Sequence, residues 1–286
     1  MNASSMDLSK AAVQPLRPDH LPQALALSQA LNWPYRLEDW AFALSLGTGL
    51  AVELDGQLAG TAMWWPYGDD YAATGMIIVA ASAQRRGIGA LLMEALLEQT
   101  AGRSVILNST VEGRALYERK GFVALGGTVH QHQAVLDKAP SVRTDALIRS
   151  IRGEDRPALL ALDRTASGME RAALIDALLA IGTFRLIERD GVVSGYGCVR
   201  RWGRGMVIGP VIGRDTQDAR ALIADLASAH VGAFVRIDVT SASDLSPWLA
   251  SIGLPDVGPV VGMALGTPPS PGQDAALFAL SNQSLG

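Results

Sequence analysis

The sequence predicts an α/β (α+β) protein of two tandem domains, each a mixed, mostly antiparallel sheet flanked by helices. Three observations carry this reading. Stretches with apolar residues at helical spacing alternate with short apolar runs of strand length. One sequence pattern recurs at a fixed offset. A short apolar strand also runs through a glycine-bearing loop directly into a helix.

The offset is 135 positions. Leu16-Arg17-Pro18-Asp19-His20-Leu21-Pro22 reads like Ile151-Arg152-Gly153-Glu154-Asp155-Arg156-Pro157, and Asp55-Gly56-Gln57-Leu58-Ala59-Gly60 reads like Asp190-Gly191-Val192-Val193-Ser194-Gly195. Two matches at one spacing argue for a duplicated domain. Each Asp-Gly lies between apolar stretches, as a β-hairpin turn requires. Pro140 and its polar neighbours interrupt the pattern between Leu136 and Ala146. The expected division is therefore 1–139, 140–268 and a tail, 269–286. In the tail, Thr267-Pro268-Pro269-Ser270-Pro271-Gly272 reads as a linker and Ala275–Leu280 as a short helix. A chain of 286 residues is long enough for two domains.

In the first copy the pattern predicts a strand near Val13–Leu16, a helix over Asp19–Leu31 and a second helix near Leu37–Ser45. Strands at Leu50–Leu54, Leu58–Trp65 and Tyr71–Val79 follow. A helix from Ile88 has apolar Leu91, Leu92, Ala95 and Leu96 on one face. Next come a strand at Val105–Ser109, a helix carrying Tyr117 and a final strand pair within Phe122–Leu136.

The loop Gln84-Arg85-Arg86-Gly87-Ile88-Gly89 joins the strand ending Met76-Ile77-Ile78-Val79 to that helix. The first backbone N–H groups of a helix lack internal partners and carry the positive end of the dipole, so they favour an anion. Glycine lets a phosphate approach the backbone, and Arg85 and Arg86 add charge. The loop is neither a G-x-x-x-x-G-K-[ST] sequence nor a full G-x-G-x-x-G, so neither a nucleoside triphosphatase nor a dinucleotide fold is indicated.

Q-x-x-G-x-G after an apolar strand resembles the acetyl-CoA loop of the GNAT acetyltransferase superfamily. Leu116-Tyr117-Glu118-Arg119-Lys120-Gly121-Phe122 resembles that superfamily's LYxxxGF helix end, and Ser104-Val105-Ile106-Leu107-Asn108 supplies the strand between them. The resemblance covers residues 12–136. It implies acetyl-CoA as cofactor, held by Ile77, Ile78, Val79, Gln84, Arg85, Arg86, Gly87, Ile88, Gly89 and Ala90. It also implies that the strand ending at Ile78-Val79 lies along the pantetheine, with backbone N–H groups aimed at the thioester oxygen. Tyr117 is the expected acid for the departing thiolate. The family often has asparagine and alanine seven and four residues before this tyrosine. Here Thr110 and Gly113 stand there, and Asn108 is the residue expected to make the cofactor contact.

The general base is not legible. Ala72–Val79 has no carboxylate or imidazole, although only roughly one alkyl amine in a thousand is free base at neutral pH. His130 and His132 alternate on one strand and so face the same side, with a surface position expected for both. Glu53 and Glu112 are further candidates, and none is selected. For the acceptor, Trp33, Tyr35 and Trp65 are candidate contacts, against the alternative that these aromatics pack in the core.

The second copy resembles a degenerate GNAT-like domain, either structural or shaping the acceptor pocket. Gln217 and Ala219 replace the two loop glycines, Asp215 and Asp218 stand at the helix start, and Leu249 takes the place of Tyr117. A carboxylate there caps the helix and repels a phosphate. Asp238, on a central strand, is expected to hold an internal arginine, with a cationic substrate as the alternative.

Composition bounds the rest. With net charge −4, pI near 5.6 and no basic run interleaved with aromatics, nucleic acid is not an expected partner. The single Cys198 reads as a small buried residue on a strand. No signal pattern or membrane-length apolar run is evident, so a cytoplasmic protein without a membrane partner is expected. No metal site is indicated, and a monomer or homodimer is expected. The predicted activity is acetyl-CoA-dependent N-acetylation of a primary amine on a small metabolite. The alternatives are a non-catalytic acyl-CoA sensor, or a protein or peptide N-acetyltransferase whose open groove a second domain would block.

Overall fold

Two Asp-Gly hairpin turns set the frame. Asp55 and Gly56 have φ of 50° and 75°, and Asp190 and Gly191 have 51° and 77°. Both pairs thus adopt the left-handed backbone of a type I′ turn, whose twist matches the flanking strands. The computed structural model describes residues 11–286.

The first half runs β1 (Val13–Pro15), α1 (Leu21–Ala30), α2 (Leu37–Leu46), β2 (Thr48–Leu54), β3 (Gln57–Tyr67), β4 (Tyr71–Val79), α3 (Ile88–Gln99), β5 (Ser104–Ser109), α4 (Val111–Arg119) and β6 (Val123–Val135). The second half repeats the order as β7 (Leu147–Ser150), α5 (Arg156–Ser167), α6 (Ala172–Ile181), β8 (Thr183–Arg189), β9 (Val192–Trp202), β10 (Gly205–Gly213), α7 (Thr216–Ser228), β11 (Phe234–Thr240), α8 (Ser246–Ser251) and β12 (Asp256–Leu265), then adds β13 (Ala276–Ala279). The bounds of α2, β2 and β3 recur 135 residues later in α6, β8 and β9.

All strands among the described residues join one sheet, ordered β1-β2-β3-β4-β5-β12-β6-β11-β13-β10-β9-β8-β7. Most neighbours are antiparallel; β4–β5 and β10–β11 are parallel. The expected strand pair within Phe122–Leu136 is instead one long strand, β6. Gly126, at φ 80°, bulges the chain rather than reversing it, and β12 arrives from the other half to pair across the bulge. On its other side β6 pairs with β11 from Phe234↔Val135 to Thr240↔Val129. The halves are therefore tied by exchanged strands.

The tail corrects a second expectation. Ala275–Leu280 is not a helix: Ala276–Ala279 is β13, bonded to β10 and β11. Its Ala- and Leu-rich composition favours helix in isolation, but unpaired strand edges on both sides offer ladder partners that outweigh that preference.

One continuous core packs α1, α2, α5 and α6 on the sheet, with Trp40, Trp65 and Tyr67 meeting Leu159, Leu174 and Trp202 across the halves. On the first half, α3 and α4 enclose Ile88, Leu92, Leu107 and Tyr117. On the second, α7 and α8 enclose Leu222, Leu226 and Leu249. Cys198 is buried on β9 as expected, and burial pushes its thiol up to about 12. Asp238 is buried and receives the Arg236 guanidinium at 2.8 Å, as its central position requires. No helix among the described residues is long and apolar enough to cross a membrane.

Candidate functional site

The site lies where β4 and β5 part. They pair only at Tyr71↔Ser104, Ala72↔Val105 and Ala73↔Ile106. Beyond Ala73, β4 carries a bulge in its pairing with β3, with Met76 at φ 51° and its carbonyl accepting from the Thr61 hydroxyl at 2.8 Å. Bulges bend a strand and increase its twist, and β4 turns away while β5 continues along β12. Residues 74–79 therefore present one backbone edge with no strand partner among the described residues.

The second half has the same split and closes it. Strands β10 and β11 pair only from Met206↔Val235 to Ile208↔Ile237. There, β13 enters the opening and bonds to both.

At the end of β4 the chain turns through Arg85 (φ 58°) and Gly87 (φ 85°) into α3. Gly87 is the N-cap, no side chain caps the helix, and no acidic residue sits in the first turn. Its first internal bond is Leu91 N–H to Gly87 O at 2.9 Å, which leaves the amides of Ile88, Gly89 and Ala90 as the unpaired donors every helix start has. A Cβ on Gly87 would meet no atom within 4 Å, so the approach to these donors is open. A Cβ on Gly89 would lie 3.4 Å from Leu116 and 3.7 Å from Val79, which shows that the helix start, the strand end and α4 converge.

The expected loop residues divide by role. Ile88 and Ile78 are buried, so only their backbones face the opening. Ile77 and Val79 are half-buried against α3. Gln84 folds back, donating to Val79 O at 3.3 Å, and Arg85 is exposed. These residues fit a diphosphate ligand: cationic, rich in N–H donors and free of carboxylate. The second-half counterpart does not. Asp215 accepts from Asp218 N–H at 2.8 Å and so caps α7, while Asp218 is buried against Arg189 at 2.6 Å.

Tyr117 is 9 % exposed, with its ring edge-on to Phe122 at 5.9 Å. Burial raises its phenol to about 12. It sits at a helix end closed by Gly121 (φ 89°), with Phe122 N–H bonded to Tyr117 O at 3.1 Å. In the second half Gly253 (φ 91°) and the bond from Leu254 N–H to Leu249 O at 2.9 Å reproduce that end, so Leu249 holds the tyrosine's place. The ring lies against its own helix, with the hydroxyl 3.5 Å from where a Cβ on Gly113 would stand, and the phenol stays protonated through neutral pH.

Three expected contacts lie elsewhere. Asn108 donates its amide to Gln283 O at 2.9 Å, so that donor serves the tail rather than the loop. Trp65 is 1 % exposed and its indole donates to Ala43 O at 2.8 Å. It is a core residue with no free polar atom, which corrects its placement as an acceptor contact. Trp33 and Tyr35 stack edge-on at 6.1 Å, and the buried Tyr35 hydroxyl meets Ser284 Oγ at 3.0 Å. Two tyrosines thus reach the tail segment at the split, since the buried Tyr67 also donates its hydroxyl to Leu285 O. A Cβ on Gly75 of β4 would lie 3.0 Å from Ser284 Cβ.

The histidines are not both surface residues. His132 is 1 % exposed and bonds Leu254 O at 2.8 Å and Ser246 Oγ at 3.0 Å, because β6 runs under α8. His130 lies 2.6 Å from Asp256. Glu53 pairs with His20 at 2.9 Å, and Glu112 is exposed in the first turn of α4. Sequence reasoning missed Ser284 and the tail's route into the split. Nothing marks these residues in the sequence except polarity after an apolar run.

The family described as an acetyltransferase (GNAT) domain matches twice, at residues 46–124 and at residues 159–279. The uncharacterized N-acetyltransferase YitH of Bacillus subtilis (strain 168) is 31 % identical over 218 residues, covering 74 % of this chain and 76 % of that protein. The chain belongs to the GNAT N-acetyltransferases. It is an acyltransferase with two tandem GNAT domains. Solved structures agree on the GNAT fold. An acetyltransferase structure from Pyrococcus horikoshii superposes with a TM-score of 0.82 at 19 % identity, covering 100 % of this chain and 99 % of that one. A tandem GNAT protein from the clavulanic acid biosynthesis pathway gives 0.60 at 15 % identity over 91 % and 99 %. At those identities the likeness speaks for the fold of this GNAT chain alone.

Proposed function

We propose that this GNAT protein transfers an acetyl group from acetyl-CoA to the primary amine of a small metabolite, by direct attack of the amine on the thioester, using one operative cleft per chain. The observation that supports this reading is the asymmetry of the two splits: β13 closes the β10–β11 opening, while no strand among the described residues closes the β4–β5 opening beside the uncapped α3 start.

Acetyl-CoA supplies an activated acetyl thioester when bound. The amides of Ile88, Gly89 and Ala90, with Arg85 and Arg86, would hold its diphosphate. The unpaired edge of residues 74–79 would lie along its pantetheine. Tyr117 would donate a proton to the departing sulfur. That transfer is uphill by about 1.5 pK units in water, from a phenol near 10 to a thiol near 8.5, and burial widens the gap. The phenol is thus a proton donor only as charge builds on sulfur. We assign residues 1–139 the donor site and residues 140–268 one wall of the acceptor site, with the tail strapped between them. Arg200 holds that tail by donating to Ser281 O at 3.0 Å.

Calorimetric titration with acetyl-CoA is expected to give one site per chain, and acetyl-CoA consumption is expected with at least one compound in a panel of amines, amino acids, polyamines and aminoglycosides. Two sites per chain would refute the asymmetry argument. No binding would refute the acetyl-transfer reading.

A further inference from the structure

A cavity of about 250 Å³ opens at the β4–β5 split, where Ala73 and Ile106 form the last pair before the strands part. Leu125 and Val129 of β6, Met169 of the second half and Leu277 of β13 give it a mostly apolar wall. An apolar cavity of about 150 Å³ accommodates benzene, so by volume this one takes a body of up to about ten carbon atoms. Its hydroxyls already have protein partners: Thr128 meets His130 Nε2 at 2.9 Å, Ser241 accepts from Thr128 N–H at 3.2 Å, and Ser284 meets Tyr35 at 3.0 Å. Among the described residues no acidic side chain lines it. The one charged side chain there, Arg171, is buried, with Nε and Nη2 donating to Asp163 at 3.0 and 2.6 Å and Gly286 against Nη1.

Asn108 stands where this cavity meets the split. Continued past Ala73↔Ile106, the β4–β5 register would set Asn108 opposite Gly75, the residue whose Cβ would lie 3.0 Å from Ser284. Asn108 Nδ2 donates to Gln283 O at 2.9 Å, so residues 283 and 284 of the tail bridge the two strands. A carbonyl only accepts, so this bond fixes which way the amide faces and turns Oδ1 away from the tail. Oδ1 lies 3.8 Å from where a Cβ on Gly262 would begin, and Leu125 lies 3.8 Å from the same point. Gly262 pairs with Asn108 across β12 and lines the cavity, so the missing side chain leaves a floor between Asn108 and Leu125. Among the described residues no donor reaches Oδ1.

An amide oxygen with an open lone pair accepts an N–H, and an apolar wall favours an apolar body. A second charge carried into that wall would lose its water without gaining an acidic side chain. We propose that the acceptor is an apolar primary amine with one nitrogen and a body of up to about ten carbons. Its body fills the cavity over Gly262, and Asn108 Oδ1 receives one amine N–H at the split. This inference rests on the acetyl-transfer reading of the same site.

The test uses the full chain and straight-chain amines from propylamine to dodecylamine, with 1,5-diaminopentane as the isostere of hexylamine. Acetyl-CoA consumption gives kcat/KM, and calorimetry reads acetyl-CoA binding separately. Each added methylene is expected to raise kcat/KM by about 4-fold up to an optimum at or below about ten carbons. Hexylamine is expected to exceed 1,5-diaminopentane by about 10- to 100-fold. Gly262 lies outside the left-handed region and its Cβ would sit at ordinary contact distance, so Gly262→Val is expected to fold and to bind acetyl-CoA as the wild type does. Its added carbons occupy the cavity floor, and the optimum should shorten by about two or three methylenes. Asn108→Leu should lower kcat/KM for every amine by about 3- to 10-fold. In wild-type protein that binds acetyl-CoA, no turnover of any amine, a flat response to chain length, or 1,5-diaminopentane matching hexylamine overturns the inference and leaves the cofactor site standing. An unmoved optimum in folded Gly262→Val overturns it too, and unchanged kcat/KM in Asn108→Leu removes Asn108 from it. Failure of the wild type to bind acetyl-CoA sinks the acetyl-transfer reading itself, and this inference with it.

Discussion

Gly87 offers a direct measure of the diphosphate cradle. Its φ of 85° places it in the left-handed region, and nothing stands within 4 Å of where a side chain would begin. Gly87→Ala therefore adds no collision, only the left-handed penalty of about 1–2 kcal/mol, which lowers Tm by a few degrees. Gly87→Glu carries the same penalty and adds a carboxylate at the helix start. A charge about 5 Å from each of two phosphate charges costs about 2–7 kcal/mol in total for an effective dielectric between 80 and 20. The dissociation constant for acetyl-CoA should thus rise by roughly 20-fold to 10⁵-fold relative to Gly87→Ala. Calorimetry on both variants measures the ratio, and added salt should shrink it because these charges are partly exposed. If Glu and Ala bind acetyl-CoA alike, the anion does not sit at the α3 start and the cradle argument fails.

Other outcomes follow from the same geometry. Tyr117→Phe should lower kcat by about 10²-fold while acetyl-CoA still binds; full activity would remove Tyr117 from the chemistry. Because burial raises Tyr117 to about 12, its phenol stays protonated through the range in which an amine with pKa near 10 becomes free base. The kcat profile should therefore climb with pH and show no descending limb from Tyr117 below about pH 11, and a fall with an apparent pKa under 10 that vanishes in Tyr117→Phe would contradict this. The same raised pKa stabilises the fold fully below pH 10, and that contribution drains as pH rises toward 12, so Tyr117→Phe should be less sensitive to alkali than the wild type. Gly75→Leu would drive a side chain into Ser284, 3.0 Å from its Cβ. Amide exchange across residues 281–286 should speed up and the amine KM should rise about 10-fold, whereas unchanged exchange would mean that the tail does not press on β4. Cys198 is buried with a thiol near 12, so a thiol reagent should react only as fast as the protein unfolds; rapid labelling of the folded chain would contradict its place on β9.

Most of the first half was legible because its signals are local. The Tyr71–Val79 strand, the helix beginning at Ile88 and the hairpin at Asp55-Gly56 each depend on side-chain period or on a left-handed turn, and the structure places them where the pattern does. The failures are all non-local. The pair of strands expected within Phe122–Leu136 is one strand bulged at Gly126, because β12, from the other half of the chain, supplies the partner. Trp65 reads as a pocket aromatic until Ala43 is seen to hold its indole. His132 reads as exposed until α8 covers it.

The amino-acid sequence alone determined the duplication, the phosphate-favouring loop and the loss of both glycines and tyrosine from the second copy, since each is a matter of which residues occupy neighbouring positions on one element. Tertiary structure alone decided that β13 seals one split and spares the other, and that Arg171 of the second half lines a cavity together with Ala73 and Ile106 of the first. Those outcomes depend on which backbone edges and buried donors find partners from distant parts of the chain, and hydrogen-bond satisfaction across such separations leaves no periodic mark in the order of residues.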